Sequence, residues 1–201
     1  MCQMDAMMVK RSGWLYYHCS PIHGLKRLEP RKPQNFDKPA FVYMTTSLPM
    51  ALMYGIRNFE YTYGYTKEGQ IYYEEYFPDA LRILYERKSA SLYECVPEET
   101  EKTQIPTEVV SRLPVKIIRE IYIPDVMQAL LEQEQQGKLA IHRYEQLTPR
   151  MLQWIHQAEM EEIKTRNLLH TPCPMADYMK RYYPAVWDAA SKAETERTPE
   201  E

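Results

Sequence analysis

Between residues 13 and 145 the chain holds no single periodicity for long. Short apolar, aromatic-rich runs of strand length occur at 14–18 (WLYYH), 40–46 (AFVYMTT), 91–96 (SLYECV), 108–113 (EVVSRL) and 115–123 (VKIIREIYI). Each is closed by proline, glycine or a polar stretch, which is how strands are punctuated. Helical spacing interrupts them. Leu48, Ala51, Leu52, Ile56 and Phe59 fall on one helical face, behind a Ser47 suited to capping and a Pro49 tolerated in a first turn. Further helices are expected over 78–87 and, opened by Pro124-Asp125, over 126–136, with Gly137 as terminator. This order contains no clean strand–helix–strand repeat. It predicts an α+β fold on a mixed or antiparallel sheet rather than a doubly wound parallel one.

Beyond 145 only helical patterns remain. Thr148-Pro149 is a strong helix start, and the helix should run to about Arg166. A last helical segment is expected over 175–183, broken by Pro184. The reading therefore divides the chain into a leader at 1–12, an α+β domain at 13–145, a helical extension packed on it at 146–191, and a disordered tail at 192–201. The tail is charged and has no apolar residue beyond Ala193. The stretch 31–39 reads as an exposed loop, and Tyr61, Tyr63 and Tyr65 alternate as in a strand or hairpin.

Several functions are excluded early. No stretch approaches the ~18 uninterrupted apolar residues of a membrane span, so no membrane partner is expected. The net charge is −3 and the pI near 6.0, which gives no reason to expect nucleic acid. Residues 1–60 carry eight Lys/Arg against four acids, a surplus of +4 that leaves −7 for the rest. Six glycines supply neither G-x-G-x-x-G nor a P-loop. The four cysteines, Cys2, Cys19, Cys95 and Cys173, form no C-x-x-C, and the five histidines lack metal-ligand spacing. No metal is expected. Residues 1–12 have no apolar signal-peptide core, and a reducing cytoplasm is the expected compartment. The 17 tyrosines, against 4 Phe and 3 Trp, are the compositional anomaly. Those at 61–76, interleaved with acids, offer a possible partner-binding surface, set against ordinary packing with the hydroxyl reaching water.

What remains is a dispersed set: YYHCS with His18 and Ser20, FVYMTTSLPMALMY with Tyr43, Thr45 and Ser47, and two carboxylates in strand-like runs, Glu108 in TEVVS and Glu94 in LYECV. In this order the set resembles the ADP-ribosyltransferase superfamily over residues 14 to about 123. There a first strand carries H-G-[ST], a second carries Tyr followed by Thr/Ser and a helix, and a later strand begins with the catalytic Glu. The resemblance implies a split β-sheet and NAD as substrate, cleaved between nicotinamide and ribose for transfer to an unknown macromolecular target. It implies that His18 bonds a ribose hydroxyl, with Ser20 beside it. Tyr43 would stack on the nicotinamide, Thr45 or Ser47 would orient the site, and Glu108, or else Glu94, would stabilise the developing cation. Cys19 departs from the family's glycine, whose missing Cβ lets backbone approach the dinucleotide. Two other readings stay open: a non-catalytic binding domain of the same architecture, using the Tyr-rich surface, and an RNA 2′-phosphotransferase-like activity, which calls for arginines around a phosphate; Arg27 and Arg31 are present, and nothing in the sequence places them there.

Overall fold

The structure, a computed structural model, describes residues 15–32 and 39–197. Trp14, the leader at 1–12, most of the loop at 31–39 and the last four residues lie outside the described residues. The described chain is α+β. Its elements, in order, are β1 (Tyr16–Ser20), β2 (Arg27–Leu28), β3 (Val42–Thr45), α1 (Leu48–Met53), β4 (Tyr63–Tyr65), β5 (Ile71–Glu74), α2 (Ala80–Tyr85), β6 (Ala90–Cys95), β7 (Glu101–Lys102), β8 (Glu108–Ser111), β9 (Val115–Ile123), α3 (Val126–Gln135), β10 (Leu139–His142), α4 (Pro149–Thr165), α5 (Pro174–Tyr182) and α6 (Pro184–Arg197), with one 3-10 turn (Tyr144–Gln146) before α4.

A seven-stranded sheet runs β2-β9-β6-β1-β3-β8-β7, and its strand pairs are antiparallel. A second sheet of three strands runs β10-β5-β4. The runs 108–113 and 115–123 are separate strands that part at Pro114: β8 lies beside β3 and β9 beside β6. Pleat alternation assigns the two faces of the large sheet. Tyr16, Val42, Met44, Tyr93, Cys95, Val109 and Val115 share one face and, with Leu28, form a buried apolar cluster. The other face carries Tyr17, Cys19, Tyr43, Thr45, Glu94 and Glu108. Helix α1 lies against this second face, since a Cβ at Gly55, in the turn that ends α1, would stand 3.0 Å from the Cys19 sulfur and 3.0 Å from Ala90 Cβ.

Two compact units divide the chain. One comprises 1–61, 65–72 and 81–140; the other comprises 62–64, 73–80 and 141–201. The sequence reading placed a boundary at 145. The second unit instead takes in the short central segments, because Glu74 N–H bonds the Thr62 carbonyl at 2.8 Å and Glu75 N–H bonds the His142 carbonyl at 3.0 Å. Within it Phe77 stacks on Tyr182, with ring centroids 4.5 Å apart, and meets Tyr178 and Tyr183 edge-on.

Two helices end differently from expectation. Helix α1 stops at Met53, with Tyr54 as its cap, so Phe59 is exposed rather than on a helical face. Pro184 begins α6 rather than ending the helical region, and α6 continues to Arg197 through six residues assigned to the tail. A proline lacks the N–H that a first turn leaves unsatisfied anyway, so it opens one helix as readily as it closes another. The Thr148 cap is present as expected, its hydroxyl accepting from Met151 N–H at 3.2 Å. No described helix is long and apolar enough to cross a membrane.

Candidate functional site

Strand β1 pairs with β6 over five residue pairs, Tyr16–Cys95 to Ser20–Ser91. With β3 it pairs at Tyr17–Thr45, and among the described residues no further register pair follows. Past that point His18 Nδ1–H donates to the Tyr43 carbonyl at 2.9 Å. A side chain thus occupies an acceptor that a continuing strand would have used. The sheet parts between β1 and β3, with His18 on one lip and Tyr43 on the other. Burial lowers the His18 pKa, more than the Tyr43 bond raises it, with the Arg31 charge lowering it further. The ring is therefore neutral near pH 7, with its proton on Nδ1 and its Nε2 lone pair able to accept a hydrogen bond.

One strand further on, Thr45 is opposite Glu108 and Tyr43 opposite Val110. Glu108 is 8% exposed at the start of β8. Burial, and secondarily the Glu108 charge, raise the Tyr43 pKa; the same two causes raise that of Tyr65, against a hydrogen bond from Thr107. Both phenols thus stand near the carboxylate. Thr107 is the hub. Its carbonyl accepts from Thr46 N–H at 3.0 Å. Its hydroxyl meets Thr45 Oγ1 at 3.1 Å and the Tyr65 hydroxyl at 2.6 Å. These bonds fix the backbone immediately before Glu108. Sequence reasoning passed over Thr107 and the Tyr65 hydroxyl. The available signal was position: a hydroxyl residue directly precedes the candidate carboxylate.

The remaining candidates sit elsewhere. Ser47 caps α1, its hydroxyl accepting from Met50 N–H at 3.4 Å. Ser20 accepts from Ile22 N–H at 3.1 Å in a local turn. Glu94 is committed to Arg119 through two bonds, 2.8 Å from Nε and 2.5 Å from Nη2. His18 and Ser20 project from the face opposite Tyr43, Thr45, Glu94 and Glu108, because His18 pairs with Tyr93 and Ser20 with Ser91. Cys19 faces α1, and burial pushes its thiol up to about 12. Arg27 is ion-paired with Glu29, and Arg31 is backbone-paired with Phe41.

A second polar cluster, also missed in the sequence, fastens the loop after β1. One Glu120 carboxylate oxygen accepts from Gly24 N–H at 2.8 Å, Ser91 Oγ at 2.6 Å and the Tyr93 hydroxyl at 3.2 Å. His23 Nδ1 lies 2.7 Å from Ser91 Oγ. Since Ser91 donates to the carboxylate and accepts from His23, this is a clamp and not a nucleophile–base pair.

The Tyr-rich stretch is not an exposed patch. Tyr61, Tyr63 and Tyr65 are each partly buried, Tyr61 donates to the Ile56 carbonyl at 3.1 Å, and Tyr73 is buried. Among the described residues no three His, Cys, Asp or Glu are grouped to hold a metal ion. No protein-family model matches the chain, and no curated protein matches it either.

Proposed function

We propose that the chain is an ADP-ribosyltransferase-like enzyme that takes NAD as its substrate, acts on a macromolecular acceptor in the cytoplasm, and uses Glu108 as its carboxylate. What carries the reading is the parting of β1 from β3, with His18 and Tyr43 on its lips and Glu108 one strand beyond. Breaking the nicotinamide–ribose bond sends the bonding pair out with nicotinamide and leaves positive charge on the ribose. A fixed carboxylate on that side lowers the barrier, by about 3–4 kcal/mol for one well-placed group. Glu108 suits this role by position, since it lies opposite Thr45 on the strand beside Tyr43 and its charge acts on the Tyr43 and Tyr65 phenols. Tyr43 offers a ring to the nicotinamide, and Thr45 and Thr107 hold the carboxylate strand in register.

A second reading is a binding domain of the same architecture without catalysis. The opposite facing of His18 and Glu108 favours it. One experiment separates the two: nicotinamide release from NAD by the full chain, with Glu108→Gln and His18→Ala alongside a thermal shift with NAD. Release that falls at least a hundredfold in Glu108→Gln supports the enzyme. A thermal shift without release supports the binding domain, and neither effect sinks both.

A further inference from the structure

The strand registers place Arg119, Glu94, Tyr17, Thr45 and Glu108 in one row across five strands, on one face of the sheet. Glu108 stands at one end. At the other, a carboxylate buried to 10% side-chain exposure holds a guanidinium that is 62% exposed. From this geometry we infer that Arg119, held by Glu94, is an anion-binding arm for the diphosphate–adenosine half of a dinucleotide whose nicotinamide end lies at Glu108. The inference rests on the NAD reading above.

Three observations support the arm. The first is donor geometry. Arginine has five N–H donors in a rigid fork. Glu94 takes one from Nε and one from Nη2, so Nη1 and the second Nη2 hydrogen are not needed by it. A guanidinium already fixed along one edge has little rotamer freedom left to lose when an anion meets the other. The second is the backbone. The β6–β9 register shifts between Glu94 and Cys95, and such irregularities re-aim a side chain. The third is span. With ~4.8 Å between strands, the guanidinium seated on Glu94 lies about three strands, or ~14 Å, from Glu108. An extended dinucleotide covers that distance between its nicotinamide ribose and its adenosine half. As a stability device the pair is weak, since a guanidinium this exposed is screened by solvent. Glu94 is then a positioning residue for Arg119.

The test is calorimetric titration of the full chain with ADP, inorganic pyrophosphate and adenosine, together with thermal melts. The variants are Arg119→Ala, Glu94→Gln and the charge-free double variant Glu94→Met/Arg119→Met, which leaves no carboxylate stranded. The arm predicts that ADP and pyrophosphate bind the wild type and adenosine alone does not. It predicts at least tenfold weaker ADP binding in Arg119→Ala and in the double variant, the latter melting within a few degrees of wild type, and a smaller loss in Glu94→Gln. Wild-type ADP affinity in the double variant, or no ADP binding by the wild type, overturns it. The NAD reading fails separately. Arg119-dependent ADP binding without any nicotinamide release keeps the arm and removes the cleavage. Release with an unchanged KM in Arg119→Ala keeps the cleavage and removes the arm.

Discussion

Cys19 stands where the resemblance expects glycine, and the structure gives that exchange a cost that can be measured. A Cβ added at Gly55 would lie 3.0 Å from the Cys19 sulfur, 3.0 Å from Ala90 Cβ and 3.0 Å from the Leu52 carbonyl oxygen. All three are tighter than ordinary carbon contacts, and two belong to groups that cannot swing aside. Overpacking of this kind costs about 1–3 kcal/mol, and the lower chain entropy of alanine returns about 0.4–1 kcal/mol. Gly55→Ala should therefore lose about 1–2 kcal/mol, a fall in Tm of roughly 2–8 °C for a chain of this size. Cys19→Ala, which empties a small buried volume, should cost about 1–2 kcal/mol alone. The two losses should not add. Removing the sulfur relieves one of three close contacts, so the double variant should be more stable than their sum by about 0.5–1 kcal/mol. Urea melts on the four chains read the coupling. Strict additivity would mean that the turn ending α1 does not rest on Cys19. The functional corollary is that Cys19→Gly leaves NAD binding no tighter, because the thiol lies under α1 and its removal opens no space a ligand reaches. A tenfold gain in NAD affinity in that variant would refute the placement.

Other outcomes follow from the same geometry. Thr107→Val removes the hydroxyl between Thr45 and Tyr65, and it should lower the rate of nicotinamide release about tenfold with little change in KM; an unchanged rate would show that Thr107 does not set the position of Glu108. Burial pushes the Cys19 and Cys95 thiols up to about 12, so in a Cys2→Ser background a thiol reagent at pH 8 should label Cys173 quickly and the other two at the rate of unfolding. The same shifts fix a sign. The folded chain holds protons that the unfolded chain releases above pH ~9, so stability should be complete below that pH and fall as pH rises toward 12, as urea melts at pH 8 and pH 10.5 would show. His18 shifts the other way: burial lowers its pKa, so its contribution is present above the usual imidazole value of about 6.5 and is lost as pH falls below it. His18→Asn should flatten that acid limb. Glu120→Ala removes the acceptor shared by Gly24, Ser91 and Tyr93 and leaves the loop held by Tyr93, through Ile22 and Leu25, and by the His23–Ser91 contact, so limited proteolysis should cut within 21–26 faster than in the wild type.

The strands that build the site were legible because each is a self-contained run. YYHCS, VYMT, SLYEC, EVVS and VKIIREIYI all lie within strands β1, β3, β6, β8 and β9. The Ser47 and Thr148 caps were legible for the same reason, since a cap is written within four residues. The two-residue strands β2 and β7 carry no periodicity that a reading could detect. Helix α6 was lost to the double meaning of Pro184.

The site itself depends on register, and register is not a local property. Glu94 and Glu108 both look like carboxylates in apolar strands. What separates them is a pairing partner: Arg119, twenty-five residues from Glu94 in sequence, against Thr45 and the Thr107 hub. A shift of one residue in the β1–β6 pairing would carry His18 to the face of Glu108, and no composition or spacing within YYHCS distinguishes the two states. The tyrosines divide on the same principle. Burial, and secondarily the charge of Glu108, raise the pKa values of Tyr43 and Tyr65, which come from different sheets. Tyr93 acquires its character from Glu120 and the loop after β1, and Tyr178, Tyr182 and Tyr183 from Phe77. An excess of one residue type is therefore three chemistries here, and the sheet order β9-β6-β1-β3-β8 separates Tyr43 on β3 from Tyr93 on β6.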